Sequence, residues 1–268
     1  MPLILILMIL KKEPSIFFMK LSVNLNKIAL LRNSRGSNNP SLESFAAQSV
    51  ALGVDGLTLH PRPDHRHATS SDALNISNLC KLHSLEFNLE GNPFSESNDP
   101  FLGFYNICME AKPEQVTLVP DSESQITSDS GWIPGFRSDE LEQFIKKIDP
   151  IETRTSLFIN ADIESVEFAA RMNFDRVEIY TGPFAEACHN KPRELAIISN
   201  QINNVIVKAR ELGLGVNAGH DLSLENIQSL RECGEVDEVS IGHAIMTDSL
   251  KYGFENTIMQ YINIIREQ

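Results

Sequence analysis

Residues 154–182, RTSLFINADIESVEFAARMNFDRVEIYTG, contain the repeating unit of the fold. Two short apolar runs, RTSLFINA and RVEIYTG, are typical of buried strands. Between them, Asp162 is a good helix cap, and segment 162–173 spaces its apolar residues as one face of a helix does. A strand, a helix and a second strand in this order predict two parallel strands joined by a helical crossover.

The same alternation extends in both directions from this unit, starting at Lys20. Strands are predicted at KLSVNL, DGLTLH, LEFNLE, QVTLVP, RTSLFINA, RVEIYTG, LGVNAG and EVSIGH. Helices are predicted at 41–53, 99–111, 138–148, 162–173, 192–213, 223–233 and 245–267. Eight strands that alternate with helices in about 250 residues predict an α/β fold, a (β/α)8 TIM barrel that occupies residues 19–268 as a single domain. An open doubly wound sheet is the alternative, but no glycine-rich GxGxxG turn follows the first strand.

The net charge and the cysteines limit the kinds of molecule that the chain is expected to bind. The 268-residue chain has a formal net charge of −13 and a pI near 5.0, which argues against general binding to nucleic acid or to an anionic membrane surface. The four cysteines lack the paired spacing of a zinc site or a disulfide framework. Reduced thiols of this kind predict a cytoplasmic protein.

The first residues differ from the rest of the chain. MPLILILMIL, residues 1–10, is apolar throughout but has only about half of the ~20 residues that a membrane span requires. It has no preceding positive region, and no small-residue cleavage site follows it, so a signal peptide fits poorly. Met19 opens MKLSVNLNK, the expected start of a soluble domain. Residues 1–18 are therefore predicted to be a dispensable extension, with a membrane-associating tail as the alternative.

Polar residues follow nearly every predicted strand, more than solvation of the loops requires. In a (β/α)8 barrel the carboxyl ends of the strands meet at one face, where the chemistry takes place. We therefore expect the following residues to converge on that face: Asn24, Asn26, Lys27, His60, Arg62, Glu90, Asn160, Asp162, Glu178, Thr181, Asn217, His220, Gly242 and His243.

The second predicted strand opens the most unusual stretch, GLTLHPRPDHRHATSSD, residues 56–72. His60, His65 and His67 lie beside Arg62 and Arg66 in an otherwise acidic chain. Zinc ligation is one interpretation, but HExxH spacing is missing and the interleaved arginines would repel a dication. A solvated loop is the alternative for His65 and Arg66. The pattern favours a phosphate or carboxylate site with a histidine free for proton transfer.

Other predicted loops carry groups suited to the same chemistry. LLRNSRG places Arg32 and Arg35 beyond the first strand, which suggests a second anionic group, although Arg32 could instead form a surface salt bridge. Glu90 ends an apolar strand, where partial burial would raise its pKa toward that of a general base; a structural pair with an arginine is the alternative. The last two strands lead to His220 and to residues 242–243, where barrel enzymes often hold phosphate through backbone N–H groups.

The loop from Pro120 to Arg137 is long and polar, and it contains the only tryptophan, Trp132. Loops of this length in compact domains are commonly functional lids. We expect this loop to close over the ligand, to bring Thr127 to a phosphate, and to change the fluorescence of Trp132 as it closes.

Taken together, these motifs resemble those of the pyridoxine 5′-phosphate synthase family, the ring-closing enzymes of the deoxyxylulose-dependent vitamin B6 pathway. The resemblance runs from about Lys20 to the C-terminal helix and rests on VNLNKIALLRNSRG, GLTLHPRPDHRH, NLEG, TLVPDSESQITSDSGW, SLFINAD, VEIYTG, VNAGHDL and SIGHAI, in that order. It implies condensation of 1-deoxy-D-xylulose 5-phosphate with 3-amino-2-oxopropyl phosphate to give pyridoxine 5′-phosphate, inorganic phosphate and water. It also implies that no metal or organic cofactor is used and that the chain assembles as a homo-octamer.

The resemblance further implies roles at the matching positions. His60 and His220 match the catalytic histidines, Glu90 matches the catalytic glutamate, and Glu178 matches a carboxylate that stabilises cationic transition states. The positions that hold the aminoketone phosphate are Asn24, Arg35, Asp221, Gly242 and His243. The positions that hold the deoxyxylulose phosphate are Arg62, His67 and Thr127.

Two departures from the family pattern stand out. Asn26 and Lys27 occupy the place of an Asp-His pair, and Asp221 replaces a glycine, so that its contact would come from the backbone. We expect Lys27 to bind a phosphate or hydroxyl group of the deoxyxylulose substrate, with Asn26 orienting the same molecule. A barrel aldolase or isomerase with a Schiff base on Lys27 is an alternative enzyme class, and a phosphometabolite-binding sensor without turnover is the non-enzymatic alternative.

Overall fold

The strands form a closed parallel barrel. The computed structural model describes residues 18–122 and 125–267, and in it each of the eight strands pairs with the next along the chain while the eighth pairs with the first. The strands are β1 (Lys20–Asn24), β2 (Gly56–Leu59), β3 (Glu86–Gly91), β4 (Gln115–Leu118), β5 (Arg154–Ile159), β6 (Arg176–Tyr180), β7 (Gly215–Gly219) and β8 (Glu238–Ile241). The predicted single-domain (β/α)8 barrel is confirmed, with each strand at its predicted place.

Helices surround the barrel. They are α1 (Asn26–Asn33), α2 (Leu42–Ala51), α3 (Ser70–His83), α4 (Phe104–Ala111), α5 (Ser138–Ile148), α6 (Ile163–Arg171), α7 (Gly182–Asn190), α8 (Pro192–Glu211), α9 (Ile227–Cys233), α10 (His243–Tyr252) and α11 (Phe254–Arg266). A short 3-10 turn follows α5 at Asp149–Ile151.

The sequence reading of the helices needs several corrections. It missed α1, α3 and α7, which are short or have weakly amphipathic sequences. The segment predicted as a helix from 99 begins helical structure only at Phe104, because Asn98 and Phe101 exchange backbone hydrogen bonds across a tight turn and the glycine at 103 has a φ of +88°. The helix predicted at 223–233 begins at Ile227, and the one predicted at 245–267 is divided at Gly253, whose φ of +78° interrupts it.

The correctly predicted helix ends follow from local chemistry. Asp162 accepts a hydrogen bond from the backbone N–H of Ser165 at 2.8 Å and so caps α6, and Ser41 does the same for α2 through the N–H of Ser44 at 3.2 Å. Gly53 and Gly213, each directly after a helix, have φ of +83° and +79°, a left-handed backbone that glycine adopts without a steric penalty.

The apolar core lies between the barrel and its helices, whereas the inside of the barrel is polar. Outward-facing residues such as Leu57, Val116 and Val177 are fully buried against the helices. Inward-facing residues alternate with them and contact one another across the barrel: the carboxylate of Glu86 on β3 is paired with Lys20 on β1 and with Arg154 on β5. A polar interior lets ionisable groups lie directly beneath the mouth of the barrel, where burial changes their pKa.

The predicted extension at residues 1–18 lies outside the described residues except for Phe18. Among the residues that the structure does describe, no helix is long and apolar enough to span a membrane.

Candidate active site

A cavity of about 430 Å³ opens at the carboxyl ends of the strands. It is lined by most of the residues that the sequence predicted for a site, and these come from loops on opposite sides of the barrel mouth. They are Asn24, Asn26, Lys27, His60, Arg62, His67, Glu90, Thr127, Glu178, His220, Asp221, Gly242 and His243. The strand ends therefore bring together residues that are far apart in sequence.

One end of the cavity is cationic. Arg62 donates from Nη2 to the backbone carbonyls of Ser122 and Gln125, at 2.7 and 2.9 Å, and its Nη1 lies 3.5 Å from a carboxylate oxygen of Asp121. Arg66 donates from Nη1 to the carbonyls of Gln125 and Ile126, at 2.8 and 2.9 Å. The two guanidinium groups thus join the β2–α3 loop to the loop after β4. Planar guanidinium groups of this kind are suited to binding phosphate oxygens.

A second place for an anion lies where β8 leads into α10. Helix α10 starts at His243, and no side chain caps its first turn. Backbone N–H groups at such a helix start favour an anion. A Cβ atom at Gly242 would lie 2.9 Å from the backbone oxygen of Asn24, so glycine is the residue that fits between the ends of β1 and β8.

Two buried glutamates lie between these ends. Burial, together with Glu178 and Asp121, raises the pKa of Glu90 well above its ordinary value, while Asn24 Nδ2 and Ser240 Oγ lie 3.5 and 3.4 Å from its two oxygens. Burial raises the pKa of Glu178 to about 7, although the positive charge of His220 and a hydrogen bond from Thr117 act against this rise. Glu90 therefore binds a proton more readily than an exposed glutamate does, and Glu178 titrates near neutral pH.

His60 is neutral despite its acidic neighbours. Its Nδ1 lies 3.8 Å from Glu90 Oε2 and its Nε2 lies 3.9 Å from Asp121 Oδ2, distances at which an imidazolium would form ion pairs. Burial, together with the charges of Arg62 and Arg66, instead lowers the pKa of His60 to about 3. Burial also raises the pKa of Asp121, so the acids around His60 are poor counterions. The contacts are therefore polar contacts of a neutral imidazole and not ion pairs.

Two further predicted residues, Asn26 after β1 and His67 after β2, also line the cavity. Asn26 accepts a hydrogen bond from the backbone N–H of His60 at 3.0 Å, so its side chain fixes the end of β2. Burial and the charges of His60, Arg62 and Lys27 lower the pKa of His67 to about 2, which makes this lining imidazole neutral as well.

The β7 exit presents His220. Its Nε2 lies 2.9 Å from Thr127 Oγ1, and its ring meets Tyr180 edge-on at a centroid distance of 5.2 Å. The hydroxyl of Thr181 donates to the backbone oxygens of Gly219 and His220, at 2.7 and 2.5 Å, which fixes the backbone that carries the imidazole.

Four residues predicted at strand ends do not line the cavity. Asn160 accepts from the backbone N–H of Gly131, Asp162 caps α6, and Thr181 makes the backbone contacts just described. Asn217 lies two residues before the end of β7, about 6.6 Å below the mouth at the usual rise per residue, and it accepts from Arg176 Nη1 at 2.8 Å. Their side chains satisfy the polar backbone and the barrel interior.

The second predicted cationic group is not at the cavity. Arg32 forms a two-point salt bridge with Asp72 at 2.6 and 2.7 Å, the structural alternative that the sequence left open. Arg35 is exposed, and it is not among the residues that line the cavity. Arg32 on α1 thus pairs with the start of α3, and Arg35 lies just beyond the end of α1.

The loop after β4 has two different halves. Ile126, Thr127 and Ser128 line the cavity, and Ile126 is 87% exposed. Trp132 is buried, and its indole N–H donates to the carbonyl of Phe136 at 3.1 Å. A Cβ at Gly131 would lie 2.1 Å from the backbone nitrogen of Asn160, so this half packs directly on the end of β5. Closure of the loop stays a prediction, and Trp132 is located on its anchored half.

Within residues 18–122 and 125–267, no group of three or more His, Cys, Asp or Glu side chains is arranged to hold a metal ion.

Comparison with known proteins identifies the family. The family model described as pyridoxal phosphate biosynthesis protein PdxJ matches residues 21–267. A pyridoxine 5′-phosphate synthase from Bacteroides thetaiotaomicron is 44% identical over 248 residues, which cover 92% of this chain and 99% of that protein. The enzyme of the same name from Xanthomonas oryzae pv. oryzae is 42% identical and covers 92% of this chain and 96% of its own length. The chain belongs to the pyridoxine 5′-phosphate synthase family of enzymes. The resemblance deduced from its motifs is confirmed.

More distant solved structures share the fold of this synthase family. A tryptophan synthase structure from M. tuberculosis superposes with a TM-score of 0.63 at 11% identity, covering 93% of this chain and 94% of that one. Thiamine phosphate pyrophosphorylase from Pyrococcus furiosus superposes with a TM-score of 0.58 at 12% identity, covering 92% and 95%. At this identity the likeness shows the (β/α)8 barrel alone.

The synthase family match spans every lining residue of the cavity, and the sequence reading undervalued three residues that lie in the cavity wall or directly behind it. Arg66 was left open as a solvated side chain, Asp121 was not singled out, and Ser240 was overlooked. Alternation along EVSIG places Ser240 on the inward face with Gly242, a signal that could have identified it. The position of Arg66 depends on the loop after β4, and no local pattern reveals it.

Proposed function

We propose that this chain is a pyridoxine 5′-phosphate synthase that condenses 1-deoxy-D-xylulose 5-phosphate with 3-amino-2-oxopropyl phosphate. The products are pyridoxine 5′-phosphate, inorganic phosphate and water. The observation that carries the proposal is a cavity with two separate places for anions and buried titratable groups between them. Two phosphorylated substrates require two anion positions, and their condensation with loss of water requires groups that transfer protons.

The two anion positions support one phosphate each. Arg62 and Arg66 extend from the β2 exit, together with the neutral His67, and suit the phosphate of the deoxyxylulose substrate. The start of α10 at residues 242–243 suits the phosphate of the aminoketone. Because β1 lies between β2 and β8 in the barrel, Asn24 and Lys27 would lie between the two substrates.

The protonation states suggest how the acid–base work is divided. Ring formation requires attack of an amine on a carbonyl, removal of carbon-bound protons and departure of water and phosphate. Glu90 would remove carbon-bound protons once a cationic imine nearby favours its ionised form, and Glu178 would stabilise that positive charge. His60, with its pKa lowered to about 3, is neutral and a weak base, so it would act by hydrogen bonding to the substrate, and His220 would donate protons to departing oxygens.

The direct test is incubation of the protein with both phosphorylated substrates. The expected result is a pyridoxine absorbance band together with release of inorganic phosphate, and neither signal with one substrate alone. A Glu90→Gln variant is the matched control, since its shape is preserved while the proposed base is removed. Absence of both signals with wild-type protein that binds each substrate would refute the proposed function and favour a sensor.

We also propose that the chain assembles as a cytoplasmic homo-octamer and that residues 1–18 are dispensable, on the basis of the family resemblance and the sequence. Light scattering after size-exclusion chromatography should give a mass about eight times the 30.0 kDa of one chain. A chain that starts at Met19 should form an oligomer of the same number of subunits and keep the same turnover, and loss of either would contradict dispensability.

A further inference from the structure

His220 contacts a different partner through each ring nitrogen. Its Nδ1 lies 3.2 Å from Asp221 Oδ2, and its Nε2 lies 2.9 Å from Thr127 Oγ1. An ionised carboxylate accepts hydrogen bonds but donates none, so the nitrogen that faces Asp221 is the one that carries hydrogen in the neutral ring. Nε2 then has a lone pair, to which the hydroxyl of Thr127 donates.

The contact between His220 Nδ1 and Asp221 is electrostatic and not a linear hydrogen bond, since Nδ1 reaches hydrogen-bonding geometry with none of the residues that the structure describes. The charge of the carboxylate nevertheless favours hydrogen on the nearby nitrogen.

Backbone geometry holds this contact in place. His220 has a φ of +91° and Asp221 a φ of +56°, both in the left-handed region, which aspartate tolerates better than most residues. Thr181 binds the carbonyl of His220 from one side, and Asn226 Nδ2 donates to the carbonyl of Asp221 at 3.0 Å from the other. The loop therefore presents the carboxylate and the imidazole in one fixed arrangement.

Asp221 is the carboxyl best suited to stay ionised beside His220. The other acids that face the ring are Glu178 on β6 and Asp121 after β4, and Tyr180 on β6 meets it edge-on. Burial raises the pKa of both of these acids. By contrast, His220 lowers the pKa of Asp221, with smaller contributions from the charges of His243 and Lys27. At neutral pH, Asp221 is thus the permanent negative charge at this end of the cavity.

We propose that Asp221 is a positioning residue that fixes the tautomer and charge of His220, so that Nε2 is the atom that exchanges a proton with the substrate. In the substrate-free protein Nε2 contacts the hydroxyl of Thr127, and an oxygen of the bound substrate would replace that hydroxyl. The assignment of this proton transfer to catalysis rests on the proposed function, whereas the coupling between the two side chains does not.

The test uses variants that the backbone can accept. Asp221→Asn removes the charge at nearly constant shape, and Asp221→Gly removes the side chain; asparagine and glycine both tolerate a positive φ. Glu225→Gln is the matched control, because it removes one negative charge from the same connection between β7 and α9, where Glu225 pairs with His189 at 3.5 Å and does not contact His220.

The first measurement does not require turnover. The rate at which diethyl pyrocarbonate modifies His220 is followed against pH by peptide mass spectrometry. In both Asp221 variants His220 should be modified several-fold faster than in the wild type in mildly acidic buffer, because the nearby negative charge that favours hydrogen on the ring is lost. The rates for Glu225→Gln should match those of the wild type. Unchanged rates in the Asp221 variants, or an equal change in the control, would overturn the proposal.

The second measurement separates positioning from binding. The kcat of Asp221→Asn should fall about tenfold while the KM for each substrate stays within about twofold, since the substrate contacts remain. A rise in KM with unchanged kcat would overturn the positioning role. If wild-type protein makes no product but the modification rates change as expected, the proposed function fails and the coupling of Asp221 to His220 stands.

Discussion

Replacing Glu178 by glutamine tests the most consequential electrostatic feature of the cavity. The carboxyl group is fully buried beside Thr117, and its Oε1 occupies the space that a Cβ at position 219 would need. Burial raises its pKa from 4.5 to about 7. Glutamine has nearly the same shape but cannot ionise, so the substitution removes the charge without removing the packing.

The size and sign of the effect on stability follow from that shift. A carboxyl whose pKa is raised on folding contributes stability that is fully present below about pH 4.5 and is lost as the pH rises to about 7. A shift of about 2.5 units at 1.36 kcal/mol per unit corresponds to about 3 kcal/mol. The free energy of unfolding of Glu178→Gln, relative to wild type, should therefore increase by about 3 kcal/mol between pH 4.5 and pH 7.5.

The assay is urea unfolding followed by circular dichroism across that pH range, at one fixed protomer concentration. In parallel, kcat should fall by about 10²-fold, because the variant lacks the negative charge that would stabilise a cationic intermediate. A stability difference that stays flat with pH would refute the raised pKa of Glu178. A wild-type kcat would refute its proposed electrostatic role.

Four further results are expected. Glu90→Gln should lose at least ~10²-fold in kcat, the usual range for a removed general base, with both KM values unchanged in initial-rate assays; near-wild-type turnover would contradict its role. Lys27→Met should raise the KM for the deoxyxylulose substrate about tenfold, ~1.4 kcal/mol of lost binding, but not that for the aminoketone, and sodium borohydride with substrate should trap no adduct on it. Arg32→Ala should lower the free energy of unfolding by about 3 kcal/mol in urea titrations, because it leaves the buried charge of Asp72 without its cationic partner. If an Arg32→Ala/Asp72→Asn double variant is no less stable than Arg32→Ala alone, the pair is purely structural. Turnover should survive exhaustive dialysis against EDTA, and rescue of a lost activity by zinc would revive the metal interpretation.

Much of the site was predictable because strand ends in a barrel converge whatever their separation in sequence. His60, Glu90 and His220 were placed correctly at the mouth from the apolar strands that precede them. The same rule placed Asn217 wrongly, because the alternation within a strand tells which face a residue takes but not how deep it lies. The salt bridge of Arg32 with Asp72 was left as an open alternative, since the helix that follows β1 and carries Arg32 was not predicted.

The sequence by itself determined the order of strands and helices, the closed barrel and the family, because these depend on local periodicity and on motifs that occur in a fixed order. It also placed His60, Glu90 and His220 at the mouth. Only the tertiary structure decided their protonation states and partners. Burial makes His60 neutral and raises the pKa of Glu90, and the loops after β4 and β7 meet so that Thr127 and Asp221 contact opposite nitrogens of His220. Desolvation and the distance between charges depend on the packed arrangement of the whole chain, and no short stretch of sequence contains them.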